Sequence, residues 1–406
     1  MNLNQQPILI NGFLIVGLLL FPFQIKLSLL LLIVYLLAST KLNKPQLLSG
    51  RSAAFLMLLP ISLYLLYTFS MVYTENISHG LKDLETKATI LVIPLAILFF
   101  QRKNGEREVF SFWFIMAHAV TSVYLIVQSF LKWMQSGDYS SFFYDQFSVL
   151  MHPTYFTMCL SLAVMLLTET ILNNNSPFSR YRLLTVTVLI LLVISMYLTS
   201  SRAGLAIGWF IVAMHLLICF FQKRISLLYP SIFVIAAVLS VIFLSPADSR
   251  FKILLNEVNK AEVQTIGADS SRVDVSPVSH RLSLYRSAIQ VAVEHPTGVG
   301  AGDVQDELVK VYREIGYQKA VDVRYNPHNQ YLQTAVAIGW TGMLILMLFL
   351  FLLGVYALKN RDYVLASLPA IVGLNALFES VLEVQRGVLF LTITLLFLFV
   401  SYNKHR

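Results

Sequence analysis

Two arginines and a histidine have the residue types and neighbours to act on a phosphorylated substrate. Arg202 lies in Thr199-Ser200-Ser201-Arg202-Ala203-Gly204, where small neighbours leave room for a ligand. Arg281 opens Arg281-Leu282-Ser283-Leu284-Tyr285, followed by Arg286. On a helix, Arg281 and Tyr285 stand one turn apart on one face and Arg286 is rotated away. A guanidinium suits phosphate oxygens because it is planar, binds two at once and stays charged. His328, in Pro327-His328-Asn329-Gln330, precedes an apolar run, and its imidazole can take a proton from a hydroxyl near neutral pH. Each has a plainer alternative: an interfacial arginine whose charge reaches the lipid headgroups, a solvated helix face, and an ordinary interfacial histidine.

Other polar groups gather near apolar ends. His152-Pro153-Thr154-Tyr155 opens one apolar run, and Glu379, Glu383, Gln385 and Arg386 cluster between two others. Carboxylates so close to apolar segments need a partner, which Arg386 or Lys87 can supply. A role in helix packing or in orienting an arginine is the default for Glu379 and Glu383. The run Gly298-Val299-Gly300-Ala301-Gly302-Asp303 is not a nucleotide loop, because no Lys-Ser/Thr follows and no strand–helix unit surrounds it. We read it as a tight turn. No Asp-x-Asp pair or His/Asp cluster has metal-ligand spacing, so neither metal nor cofactor is expected.

The elements that position these residues follow from composition. Hydrophobic residues make up 57% of the 406 and charged residues 13%, against roughly a quarter charged in a soluble domain. The apolar runs predict an all-α polytopic membrane protein with about twelve transmembrane helices. The predicted spans cover roughly 8–23, 27–40, 53–73, 88–100, 110–131, 150–171, 183–200, 203–221, 226–244, 329–356, 363–380 and 388–402. The second and fourth are short and either tilt or re-enter. Spans one to nine occupy 1–244, a polar loop occupies 245–328, and the last three spans occupy 329–406. Short helices near 251–264, 283–295 and 302–316 are expected in the loop, separated at 267–271 and at Pro296 to Gly300. With few large apolar residues, the loop should lie as a cap on the bundle.

Orientation comes from basic residues in alternate short loops. One side collects Lys41, Lys44, Arg51, Arg102, Lys103, Arg107, Arg180, Arg182, Lys223, Arg224, Lys359, Arg361, Lys404 and Arg406. The other holds only Lys26, Lys82, Lys87, Lys132, Arg202 and Arg386 outside the long loop. Both termini are therefore expected in the cytoplasm and the long loop outside it. The net charge of +8 records this asymmetry rather than a nucleic-acid partner. Cys159 and Cys219 fall in apolar runs and read as small hydrophobes. No cleavable signal peptide is evident.

Ser-Ser-Arg-Ala-Gly around Arg202, Arg281 in Arg-x-x-x-aromatic, Pro296 to Gly302, and Pro-His-Asn-x-Tyr-Leu at 327–332 occur in this order. Together, and with His152-Pro-Thr-Tyr, they resemble the O-antigen ligase and polymerase superfamily of bacterial envelope glycan enzymes. The resemblance covers most of the chain. It implies a metal-independent, inverting glycosyltransferase in the bacterial inner membrane, working on the periplasmic face. The donor would be an undecaprenyl-diphosphate-linked glycan and the acceptor lipid A–core or another glycan acceptor of the cell surface. Arg202 and Arg281 would bind the donor diphosphate, and His328 matches the family's essential loop histidine. Tyr285 departs from the pattern, since tryptophan is common there. We take Arg286, Asn329, His152, Tyr155, Lys87 and Glu379 as substrate-binding candidates around these three. Within the superfamily a polymerase, joining lipid-linked repeat units, is the alternative to a ligase. A lipid-linked oligosaccharide flippase is the alternative outside it, and would carry polar residues through the bundle at mid-depth, where His118 and His215 are the main candidates.

Overall fold

A computed structural model of the chain describes residues 8–42, 48, 50–99, 105–172, 181–223, 225–227, 231, 233–235 and 277–402. Among these, every regular element is helical. The chain begins with α1 (Ile8–Leu20), α2 (Ile25–Leu42) and α3 (Arg51–Ser70), then α4 (Ile77–Lys87) and α5 (Thr89–Phe99). The long α6 (Glu106–Ser136) leads through a single 3-10 turn to the one-turn α7 (Tyr144–Phe147). Next come α8 (Pro153–Leu172), α9 (Arg182–Thr199) and α10 (Arg202–Phe221). After the polar loop's undescribed first part stand α11 (Pro277–Glu294), α12 (Val304–Glu314) and α13 (Gln318–Val323). The chain closes with α14 (Gln330–Lys359), α15 (Tyr363–Asn375) and α16 (Gln385–Tyr402).

Among the described residues, four helices are long and apolar enough to cross a membrane: α3, α6, α10 from Ala203, and α14. The shorter apolar helices α1, α2, α9, α15 and α16 belong to the same bundle. The ninth expected span and the loop helix expected near 251–264 lie wholly or largely outside the described residues, as does the separation at 267–271. The other two loop helices are present as α11 and α12. The stretch before residue 88, read as loop, is instead the amphipathic α4, capped by Asn76, whose side chain accepts from His79 N at 3.2 Å. Gly80 in that helix hid it, and a Cβ at that position would meet the Met71 side chain and come within 3.3 Å of Gly302 N.

The ends of α3, α6, α9 and α15 and the starts of α4, α8, α10, α14 and α16 gather at one end of the bundle. At the opposite end Arg107 forks onto Asp362 at 2.5 and 2.8 Å. Asp362 in turn caps α15 through Leu365 N at 2.9 Å.

Two irregularities shape the first end. The helix α14 is broken at Ile338 and Gly339, where Gly339 has φ 79° and ψ 177°. The break frees carbonyls, and Val299 N and Gly300 N donate to those of Val336 (2.8 Å) and Ala337 (3.0 Å). Trp340 N donates back to Pro296 O at 3.2 Å. The glycine run is therefore a backbone seam against a broken helix, not a simple turn. It continues past α3, where Ala301 N donates to Ser70 Oγ (3.1 Å) and Asp303 accepts from Glu75 N and Asn76 N (2.8 Å each). Second, α15 has only 13 residues, about 20 Å, whereas Trp340–Lys359 beside it runs about 30 Å at 1.5 Å per residue. The α15–α16 connection, residues 376–384, thus stops roughly 10 Å short of the bundle end. The first half of α14 descends into the resulting recess: Tyr331 donates to Gly373 O (2.9 Å) and Gln330 N to Ala376 O (2.8 Å).

Candidate active site

The recess brings together residues far apart in sequence. His328 stands two residues before α14, with φ 47°, a left-handed conformation uncommon outside glycine. Asn326 holds it there by accepting from His328 N at 2.9 Å. Its Nδ1 lies 3.2 Å from Glu379 Oε1 in the recessed connection. Glu379 is 13% exposed and also accepts from Ser380 N at 3.3 Å. Burial pushes the Glu379 carboxyl upward, yet the hydrogen bond from His328 and the charges of His328 and His152 together hold it below its ordinary value. A charged carboxylate on Nδ1–H fixes the imidazole tautomer and leaves Nε2 as the proton acceptor.

Arg281 and Tyr285 share one face of α11, as their spacing requires. The Arg281 guanidinium is exposed, with its central carbon 6.0 Å from the Phe378 ring centroid. Tyr285 donates to Leu377 O at 2.7 Å and lies 3.4 Å from His328 O. Both therefore look onto the turn that carries Glu379. Arg286 is exposed and directed elsewhere on α11. Asn329 caps α14 by accepting from Leu332 N (3.1 Å) and ties it to the recess by donating to Leu377 O (3.3 Å).

The first turn of α8 forms another wall. Tyr155 is buried and donates to Ser380 O at 3.4 Å. His152 is exposed and meets the Tyr155 ring edge-on at 6.0 Å between centroids. Arg202 opens α10 directly beside this turn. Ser201, just before it, is 3.4 Å from Thr154 Oγ1, and Gly204, just after it, packs on Thr157. The backbone thus sets Arg202 at the same end of the bundle as Arg281 and His328.

Lys87 plays a different part from an exposed ligand. Its side chain is 0% exposed, and its ammonium pairs with Asp83 and, at 3.0 Å, with Glu383. It also sits over the Tyr67 ring, 4.8 Å from the centroid. Gln330 joins this group to the site by donating to Glu383 (3.1 Å) and Thr334 (3.2 Å) while accepting from Leu382 N (2.6 Å). Burial lifts the Asp83 carboxyl to about 7, Lys87 opposing and Glu383 adding to the rise. The Lys87 ammonium is held above its ordinary value by Glu383 and Asp83, although burial acts against it. One cation with two carboxylates is neutral when the pair of carboxylates shares one proton, and the rise at Asp83 is in that direction.

One residue and one partnership were not legible in the sequence. Asp83 leaves a faint signal, four residues before Lys87 on one helix face. The partnership of Glu379 with His328, rather than with an arginine, leaves none, because 51 residues separate them. Among the described residues, no group of histidine, cysteine, aspartate and glutamate is arranged to hold a metal.

Residues 187–347 match the family model described as O-antigen ligase. The matched stretch runs from α9 into α14 and contains Arg202, Arg281 and His328. Over this stretch the chain is similar to the O-antigen ligase superfamily, which the match supports. Members of this superfamily are glycosyltransferase-like enzymes of lipopolysaccharide assembly, acting in general on a lipid-linked glycan with lipid A–core as acceptor. Comparison with curated proteins gives no match. The apolar bundle and the O-antigen ligase match together describe a membrane protein.

Proposed function

We propose that this chain is an O-antigen ligase that moves a glycan from undecaprenyl diphosphate to lipid A–core. The observation that carries the reading is the His328–Glu379 pair, recessed in the bundle and flanked by Arg281. Arg202 and Arg281 bind the donor diphosphate and offset the charge that grows on it as it leaves. His328 Nε2 takes the proton of the acceptor hydroxyl while Nδ1–H stays on Glu379. The hydroxyl oxygen bonds to the anomeric carbon as the bond from that carbon to the diphosphate oxygen breaks. The products are the glycosylated acceptor, with the anomeric centre inverted, and undecaprenyl diphosphate. No metal takes part in this scheme, since two guanidinium groups neutralise the diphosphate. Asn329, Tyr155 and His152 line the approach, and Lys87 supports the turn from beneath through Glu383.

Positive charge supports an inner-membrane topology with both termini cytoplasmic and the site periplasmic. Arg51, Arg107, Lys223, Lys359 and Arg361 all stand at or beside helix ends away from the site. The Lys87, Asp83 and Glu383 group joins the site's own loop, which does not favour a flippase; of the two mid-depth candidates, His118 is buried in α6 and His215 is buried in α10, 3.6 Å from Glu169.

The test is the lipopolysaccharide gel profile of a deletion strain complemented with wild type or with a variant at equal protein level. Arg202→Ala, Arg281→Ala and His328→Ala each abolish the ladder while intact lipid-linked polymer accumulates. Glu379→Gln keeps the contact without the charge and lowers transfer by about 10²-fold. A full ladder from His328→Ala would remove the histidine from the mechanism. Single-repeat products in the deletion strain would instead identify a polymerase.

A further inference from the structure

The transfer mechanism leaves two histidines of the polar loop without a task, His280 and His295, and His280 lies beside the site. Its Nδ1 is hydrogen-bonded to the Tyr317 hydroxyl, with ring centroids 5.7 Å apart. The Tyr325 ring meets it edge-on at 4.9 Å and stands 6.0 Å from the His328 ring. The three rings therefore run from α11 and α13 up to His328.

Their mounting is rigid. Tyr312, 0% exposed, donates to Tyr325 O at 3.1 Å. Arg324, with φ 54°, fixes the preceding turn through its 2.5 Å pair with Asp306. Yet His280, Tyr317 and Tyr325 remain half-buried, where core aromatics such as Tyr312 are covered. Rings held firmly and left half open, with polar tips, suit a ligand that has both C–H faces and hydroxyl groups. A cation is disfavoured, because the charges near His280 are those of His328, Lys319 and Arg281. Fixed aromatic side chains of this kind add contact area at little entropic cost.

We propose that His280, Tyr317 and Tyr325 form a carbohydrate subsite that holds a sugar ring of the acceptor against His328. It rests on the transferase reading, in which His328 meets the acceptor hydroxyl. The aromatic faces carry the C–H surface of the pyranose, and the imidazole and phenol tips take its hydroxyl groups.

The experiment uses the full chain in lipid nanodiscs with two probes: methyl β-D-glucopyranoside and methyl β-D-galactopyranoside, read by saturation-transfer NMR. Farnesyl diphosphate is titrated separately as a donor-side probe. Wild type transfers saturation to the ring C–H protons of at least one glycoside. Tyr325→Leu lowers that transfer about five- to tenfold, the size of one stacked aromatic contact, and leaves farnesyl diphosphate binding unchanged. Elution profile and thermal transition check its folding. Should Tyr325→Leu misfold, Tyr317→Phe decides: a weakened glycoside signal supports the subsite and an unchanged one overturns it. Absence of transfer in wild type, or full transfer in folded Tyr325→Leu, overturns it as well. Glycoside binding by a wild-type chain that ignores farnesyl diphosphate would sink the donor reading and leave the subsite standing.

Discussion

At the scale of residues, ionisation is shared among neighbours. Asp83 titrates near 7 because burial disfavours its charge. With the folded value above the unfolded one, protonated Asp83 contributes stability that is fully present below about pH 4 and lost as pH rises to about 7. Asp83→Asn cannot ionise, so it removes this component from the pH dependence of the melting temperature and costs little at pH 7. Lys87→Met leaves Glu383 without its counter-charge and costs about 3–5 kcal/mol. Equal melting temperatures for Lys87→Met and wild type at pH 7 would count against the ion group. The sequence made half of this visible. Lys87, Glu383 and Glu379 stood out as charges beside apolar runs, and Lys87 was one of two partners expected for a carboxylate. Which carboxylate met which cation depends on folding the chain back over some 300 residues, which no local pattern records.

At the scale of elements, the apolar runs located the helices because apolar length is a one-dimensional property. Breaks in those helices are not. The Ile338–Gly339 interruption needs donors from Val299 and Gly300, and nothing in Ala-Ile-Gly-Trp alone demands it. The same seam explains why Gly298 is glycine: it has φ 87°, and a Cβ there would lie 2.5 Å from Ala337 O. Gly298→Ala therefore loses about 2 kcal/mol or more through strain and displacement of the seam. Gly12→Ala, in α1 with open space around its Cα, serves as the comparison and is neutral or mildly favourable. Thermal unfolding of the two variants checks the difference, and similar melting temperatures would show that the seam carries no such strain.

At the scale of the molecule, both ends of the bundle can be read from one helix. The helix α6 is 31 residues long, about 46 Å, and so reaches beyond a hydrocarbon core of roughly 30 Å. Glu108 lies at one end and Asp138 just past the other, both exposed, while native Cys159 and Cys219 are buried. A membrane-impermeant maleimide added to whole cells with a permeable outer membrane should label Asp138→Cys directly, and Glu108→Cys only after the inner membrane is opened. The reverse pattern would turn the site to the cytoplasm. The seam has a mechanical meaning at this scale. Because the polar loop is stitched to the half of α14 that starts at Gln330, the two form one lever with the histidine at its tip. The loop cannot lift from the bundle on that side without dragging His328 away from Glu379. In the proposed transfer, substrates then enter and leave along the other flank, past α8 and the start of α10, while the histidine stays parked.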